Sequence, residues 1–275
     1  MSAIGSILLH LDATPGSARR LAMAHALAER HGARLTALFG VRPNVDRTAF
    51  AYSASAALRA AEERELGQHE QERMRLRELC GETSPDCIWC EVVGDTVVHG
   101  FIAEAAYADL LILGQRGDAD TVGSAPPGFV ESVILESGTP AIVVPPGHGQ
   151  ETLGERVLVA WNGSAQAARA MRAALPFMER AGQVHVVSWA AHSPAAPCSR
   201  VDIAAWLQRH GIAAKVECLA PSPHVADELV ALTARLEADL VVMGCYGHTR
   251  LRERVFGGVT RSALSTLPAP VLMVH

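Results

Sequence analysis

The sequence predicts an α/β protein built from two tandem copies of one domain, each with a parallel sheet. Two observations carry this prediction: a long internal repeat, and an alternation of short hydrophobic strands with amphipathic helices in each half. Such alternation is typical of β-α-β units, in which a helix joins two parallel strands. A polar linker rich in glycine and proline, PPGHGQETLGE at 145–155, separates the copies. We therefore expect domains at 1–147 (half one) and 153–275 (half two).

The repeat is most evident near the end of each half. ADLLILGQRG at 108–117 aligns without a gap with ADLVVMGCYG at 238–247, a spacing of 130 residues, and TPAIVV at 139–144 aligns with APVLMV at 269–274 in the same register. Repetition at this length indicates duplicated domains rather than a solenoid of short units.

Near the start of each half the spacing is different. Asp12 aligns with Asn162 and Gly32 with Gly182, 150 residues apart. Half one therefore carries 20 extra residues between about position 41 and position 97.

The hydrophobic runs predict five strands in each half. We expect strands in half one at 6–11, 34–41, 87–93, 110–113 and 141–144, and in half two at 156–161, 183–189, 214–219, 240–243 and 271–274. Helices in half one are expected at 17–31, about 54–80, 96–107 and 129–137. The second of these is highly charged, which indicates a solvent-facing helix.

Composition excludes several classes of protein. Hydrophobic residues make up 49% and charged residues 19%, as in a globular protein with large cores. A net charge of -5 and the lack of a dense Lys or Arg run argue against nucleic acid as a partner. No apolar run approaches the roughly 20 residues of a membrane span, and the first twelve residues lack the basic region of a secretory signal. We expect a cytoplasmic protein.

Cysteines are expected to be ordinary thiols. Cys87 and Cys90 form a C-x-x-C pattern, but they lie in a predicted strand, where positions i and i+3 point to opposite faces. No second C-x-x-C is present to complete a zinc site. We predict no metal site.

The stretch VVMGCYGHTRLRERVFGGVTRSALSTLPAPVLMV at 241–274 raises the question of function, because glycines stand at positions 244, 247, 257 and 258. One explanation is a tight turn followed by a helix stop. The other is a phosphate cradle of backbone N–H groups at a helix N-terminus. In parallel sheets, ligands bind beyond the carboxyl ends of strands where the strand order reverses. This stretch and WNGSAQ at 161–166 are the loops that meet that condition.

The segment GCYGHTRLRERVFGGVT at 244–260 resembles the nucleotide-binding signature of the universal stress protein family, G-x2-G-x9-G followed by Ser, Thr or Asn. The resemblance extends over both halves and makes the chain a tandem member. It implies two Rossmann-like domains, similar to adenine nucleotide α-hydrolases, each with a five-stranded parallel sheet of order 3-2-1-4-5 flanked by helices. Many members bind ATP or AMP, and others do not.

The resemblance also implies a set of nucleotide-binding positions in half two. Asn162, beside Gly163, stands where the family usually has Asp near base and ribose, and an amide keeps hydrogen bonding without the charge. Gly258 replaces the usual hydroxyl or amide residue, which leaves a backbone N–H. Val187 is expected to line the adenine pocket, and Gly244 and Gly247 are expected to let the loop bend around the ligand. The residues expected to meet the phosphates are Gly257, Gly258, Val259 and Thr260. His248 and Arg250 either contact the phosphates or are solvated.

Half one departs further from the signature. It keeps Gly114 and Gly117 but has Pro127 where Gly257 stands, and proline has no N–H to donate to a phosphate. Asp118 and Asp120 add negative charge that would repel a polyphosphate. We therefore expect the nucleotide in half two.

Other residues near the expected site have simpler interpretations. We expect Ser164 to cap the helix that follows it and His10 to be a packed or edge residue of its strand. Trp161 and Trp189 follow strands next to the expected pocket, where burial and contact with the base are both open.

Two functions remain. The first is a stress-response regulatory protein that binds ATP or AMP, with or without Mg²⁺, in half two. The second is an interaction module of the same fold that acts through unknown protein partners. No Walker motif or nucleophile–base arrangement supports a dedicated hydrolase, so at most slow ATP hydrolysis is expected. The resemblance also implies pairing of the fifth strands, which makes the halves an internal pseudo-dimer, and homodimers of the chain stay open.

Overall fold

The computed structural model describes residues 4–41, 56–83, 87–93, 97–115, 125–149, 152–189, 202–246 and 258–275. Within these residues there are ten strands: β1 Ser6–Leu11, β2 Arg34–Val41, β3 Ile88–Val93, β4 Leu110–Gly114, β5 Ala141–Val144, β6 Arg156–Ala160, β7 Gln183–Ser188, β8 Ala214–Cys218, β9 Leu240–Gly244 and β10 Val271–Val274.

The same residues contain nine helices: α1 Gly16–His31, α2 Ala56–Thr83, α3 Val97–Ala105, α4 Phe129–Ser137, α5 Ala165–Ala173, α6 Leu175–Met178, α7 Ile203–Arg209, α8 Val225–Arg235 and α9 Gly258–Thr266. None of the helices described is both long and apolar enough to cross a membrane.

All ten strands form one continuous sheet in the order β3-β2-β1-β4-β5-β10-β9-β6-β7-β8. Each half therefore has the order 3-2-1-4-5, and the pairs within each half are parallel. This confirms the predicted α/β fold class and its strand order.

The halves meet where β5 pairs antiparallel with β10. Val143 lies opposite Val271 and Ile142 opposite Leu272. Each strand thereby covers an edge whose backbone groups would otherwise lack partners.

Each face of the sheet is buried under helices. Leu9 and Val157 belong to a core under α1, α2, α5, α6 and α7, whereas Leu8 and Leu158 belong to a core under α3, α4, α8 and α9. Because neighbouring strand residues point to opposite faces and both faces are buried, the strands read as continuous hydrophobic runs.

The two halves differ most beside their third strands. Half one has the 28-residue helix α2 before β3, whereas half two has the 7-residue helix α7 before β8. This long helix lies in the stretch between positions 41 and 97, where the sequence places the 20 extra residues of half one.

A repeated aspartate holds the first strand of each half. The Asp109 carboxylate accepts the backbone N–H groups of Gly5 and Ser6, both at 2.9 Å. Asp239, its counterpart, accepts the backbone N–H of Arg156 at 3.0 Å and that of Glu155 at 2.9 Å. The repeated Ala-Asp pair before β4 and β9 is thus structural.

The expectation that all cysteines are ordinary thiols is wrong for one pair. Cys80, near the end of α2, forms a disulfide with Cys87 at the start of β3, with Cα atoms 6.1 Å apart. Cys90 is a free thiol on the opposite face of β3, as strand geometry predicts. The disulfide escaped prediction because it depends on where the long helix ends in space.

Helices of the two halves also contact each other directly. The Arg180 guanidinium donates to the carbonyl of Arg30, and the Arg30 side chain donates to the carbonyl of Leu153, both at 2.6 Å. The rings of His31 and Phe177 pack edge to face with centroids 5.5 Å apart. The junction therefore includes helix contacts as well as the strand pair.

Candidate functional site

The candidate site lies at the carboxyl ends of β6 and β9, the central neighbours in half two. Ala160 lies opposite Met243, so the chain segments that follow these strands leave the sheet side by side. Helix α5 begins at Ala165 on one face of the sheet, and α9 begins at Gly258 on the other. The N-termini of two helices therefore flank this edge.

The turn after β6 presents Asn162 to solvent. Its side-chain oxygen accepts the backbone N–H of Ser164 at 3.1 Å, and Gly163 has a left-handed φ of 73°. Ser164 caps α5 by accepting the N–H of Ala167 at 3.1 Å, as predicted. The Asn162 amide N–H₂ has no partner among the described residues, so it can donate to a ligand.

Gly244 has a structural reason that needs no ligand. A Cβ at this position would lie 2.5 Å from the carbonyl carbon of Gln166 and closer still to the amide nitrogen of Ala167. Helix α5 therefore packs directly against the end of β9, and only glycine allows this approach. Gly244 is therefore required by helix packing, which neither the predicted tight turn nor the phosphate cradle includes.

The chain leaves β9 through a strained residue. Tyr246 has a φ of 52°, in the left-handed region, where a side chain costs about 1–2 kcal/mol. Such strain is concentrated at functional sites. The next residues, 247–257, lie outside the described residues, and so do four predicted site residues: Gly247, His248, Arg250 and Gly257.

The other predicted contact residues lie at the N-terminus of α9. The helix begins at Gly258 and has nine residues, and Val259 and Thr260 are half-buried. Its first turn carries no acidic side chain. Unpaired N–H groups and the helix dipole both favour an anion at such an end.

The apolar side of the site contains Val187, the predicted adenine-pocket residue, and two half-buried neighbours. Val187 is only 2% exposed, and its carbonyl accepts the N–H of Trp161 at 2.8 Å within the sheet. Val187 thus lies in the core, whereas Ala160 and Trp189 are half-buried at the strand ends. These two residues are better placed to contact a ligand.

Glu228 orients Trp189. Its carboxylate accepts the indole N–H of Trp189 at 2.5 Å and the hydroxyl of Ser222. Hydrogen bonds from Ser222 and then Trp189 lower the pKa of Glu228. The sequence offered no signal for this pairing, because Glu228 lies in a different element, 39 residues further along the chain.

Half one has a different arrangement at the equivalent strand end. Asp12 is 6% exposed, and its Oδ1 accepts from the hydroxyls of Thr14 and Ser17 and from Arg20 Nη2, the last at 2.9 Å. Arg20 is 5% exposed and lies across Gly114, where a Cβ would fall 2.5 Å from Nη1. Sequence reasoning singled out neither Ser17 nor Arg20.

Charge pairing keeps Asp12 ionised despite its burial. Burial alone would raise the pKa of the carboxyl, but Arg20, His10 and the hydroxyls of Thr14 and Ser17 hold it well below its usual range. In half two the aligned positions are Asn162, Ala167 and Ala170. The carboxylate and its arginine are therefore both missing there.

Among the residues described, no group of three or more His, Cys, Asp or Glu side chains could hold a metal ion. A magnesium ion remains a prediction tied to nucleotide phosphates.

Together, these features define a tandem doubly wound α/β protein whose two halves differ at the equivalent strand ends. A family model described as the universal stress protein family matches residues 4–145 and 154–275. The chain therefore belongs to the universal stress protein family, as the sequence predicts.

Individual relatives agree with this assignment. Universal stress protein Slr1230 from Synechocystis sp. is 28% identical over 173 residues, covering 60% of this chain and 57% of that protein. The match thus spans less than two thirds of the relative.

Solved structures share the fold. A universal stress protein from Archaeoglobus fulgidus DSM 4304 has a TM-score of 0.69 and 21% identity, covering 98% of this chain and 97% of its own. A functionally unknown protein from Pseudomonas aeruginosa PAO1 has a TM-score of 0.59 and 17% identity, and the match covers 99% of this chain and 92% of that protein's chain. At these identities the likeness concerns the fold alone.

Proposed function

We propose that this universal stress protein is a regulatory protein that binds an adenine nucleotide, ATP or AMP, in half two. The observation that carries the proposal is the strand-end site itself. An exposed amide, two helix N-termini and half-buried apolar side chains converge there on adjacent strand ends. Ligands of open α/β sheets bind at such an edge.

Each side of the site suits one part of the nucleotide. Asn162 donates from its amide N–H₂ to the base or ribose, and Ala160, Val259 and Trp189 contact the base, with Val187 in the core beneath. The phosphates approach the first turn of α9, where Gly258 offers its backbone and Thr260 its hydroxyl.

Residues 247–257, which precede α9 in the sequence, complete the proposed phosphate contacts. Gly247 and Gly257 allow close approach of the backbone, and His248 and Arg250 offset the charge. Magnesium, if present, is held by the phosphates and water rather than by a cage of side chains.

The paired halves act as an internal pseudo-dimer in this proposal. The β5–β10 pair and the contact between Arg30 and Arg180 support it. We place the domains at 1–147 and 153–275 and the protein in the cytoplasm. Bound nucleotide signals to protein partners, with slow hydrolysis at most.

A second function, an interaction module without nucleotide, is favoured by one finding. Gly244 is explained by helix packing alone, so one of the glycines that suggested a phosphate cradle has another cause.

Calorimetric titration with ATP and AMP, with and without Mg²⁺, tests the proposal. Gly247→Val should abolish binding by blocking the loop, while the matched Gly117→Val in half one should leave it unchanged. Asn162→Ala should weaken binding about tenfold, the value of one lost hydrogen bond. No binding by the wild type at millimolar nucleotide would favour the interaction module, and equal loss in both glycine variants would contradict the placement in half two.

A further inference from the structure

The same strand-end position is filled in half one and half-open in half two. The register of β1 on β4 matches that of β6 on β9, which makes His10 the counterpart of Ala160. Phe129 and Val259 are counterparts in the same way, each following a glycine at the start of the last helix. His10 is 1% and Phe129 2% exposed, whereas Ala160 and Val259 are half-buried.

We propose that half one carries its own occupant: the rings of His10 and Phe129 fill the space that the base of the ligand takes in half two. These two residues, rather than the missing phosphate donor at Pro127 alone, then limit the chain to one nucleotide. The inference rests on the proposed function for the identity of the ligand.

The surroundings of His10 resemble those of a bound heterocycle. Its ring centroid lies 4.3 Å from that of Phe129, tilted by 41°, and 5.8 Å from that of Phe101, edge to face. Its Nε2 lies 3.0 Å from the carbonyl oxygen of Gly40. Aromatic packing with one edge hydrogen bond is how a protein holds a planar nitrogen ring.

The polar end of half one also differs from that of half two. Arg20 covers Gly114 and uses Nη2 to bind the Asp12 carboxylate and the Ser17 hydroxyl, at 2.9 and 2.8 Å. In half two, Ala170 and Asn162 stand where Arg20 and Asp12 stand. Oδ1 of the carboxylate that the family resemblance places near base and ribose is thus engaged within the chain.

Reciprocal exchange of the counterpart residues in the full chain tests the inference. The variant His10→Ala/Phe129→Val gives half one the residues of half two, and Ala160→His gives half two the histidine of half one. The probe is adenosine. Because adenosine carries no phosphate, the missing backbone N–H at Pro127 cannot affect its binding. Stoichiometry is measured by calorimetric titration.

We expect one adenosine per chain in the wild type, two in His10→Ala/Phe129→Val, none in Ala160→His, and one in the combined variant. A wild type that binds none while the first variant binds one would contradict the proposed function but support the inference. An opened half one that gains no adenosine, although it melts cooperatively, would overturn the inference.

The opened variant is also the one most at risk of failing to fold. Leu8→Ala is the control for this variant, because it creates a cavity in the same core but away from the strand end. The Leu8→Ala protein should bind no additional adenosine. If the opened variant does not fold, adenosine binding by Ala160→His tests the inference instead, because this substitution changes only a half-buried position. Unchanged adenosine binding by Ala160→His would overturn the inference.

Discussion

At the residue scale, a single missing Cβ at Gly244 sets how closely α5 approaches the sheet. Gly244→Ala should lower the free energy of unfolding by about 3 kcal/mol or more, because helix backbone must move. The counterpart Gly114→Ala should also cost about 3 kcal/mol or more, because its Cβ would displace the buried Arg20 guanidinium from the Asp12 carboxylate. Urea unfolding measures both, and a loss below about 1 kcal/mol for either variant would contradict this packing.

His10 carries a second prediction at the residue scale, concerning pH. Burial lowers the pKa of His10 from 6.5 to about 4, against the opposing effects of Asp12 and the Gly40 carbonyl. As the pH falls, the unfolded chain therefore takes up the proton before the folded chain does. The stability that neutral His10 contributes is fully present above pH 6.5 and is lost as the pH falls toward 4. The loss amounts to about 3 kcal/mol.

His10→Gln should reduce this loss, because glutamine keeps an N–H donor for Gly40 but does not titrate. Urea unfolding between pH 7 and pH 4 measures the effect, with the exposed His99→Gln as control. Some pH dependence should persist, since burial also lowers the pKa of His25 and His31. Identical pH profiles for wild type and His10→Gln would refute the assignment.

At the element scale, the Cys80–Cys87 disulfide ties the long helix α2 to the edge strand β3. Cross-linking so short a loop stabilises by about 2 kcal/mol in the chain-entropy model. Cys87→Ser should lose that amount under oxidising conditions and match the wild type in excess reductant, while Cys90→Ser should change little. Thermal melts with and without reductant measure this, and a reductant-insensitive wild type would argue against the bond.

The elements also show what the sequence could predict. β1, β2, β5, β10 and α4 have the predicted bounds, because hydrophobic runs between glycines and prolines define them locally. The disulfide and the Arg20–Asp12 pair were missed, because both depend on how side chains meet after the helices pack. The site was predicted only in part. The spacing of the glycines does not reveal the tertiary contact with α5 that requires glycine at position 244.

At the scale of the whole molecule, one sheet runs through both halves. Because β5 and β10 share hydrogen bonds and Phe177 packs on His31, the halves should unfold together. Scanning calorimetry should show one transition with equal calorimetric and van't Hoff enthalpies. Phe177→Ala removes a buried ring from the junction and should split or broaden this transition. Two resolved transitions in the wild type would mean that the halves unfold independently.

The central claim is that two copies of one fold provide one nucleotide site, in half two. Native mass spectrometry of the full chain with ATP or AMP counts bound nucleotides directly. We expect one nucleotide per chain for the wild type and for Gly117→Val, and none for Gly247→Val. Two nucleotides on the wild type, or none at any concentration, would contradict it.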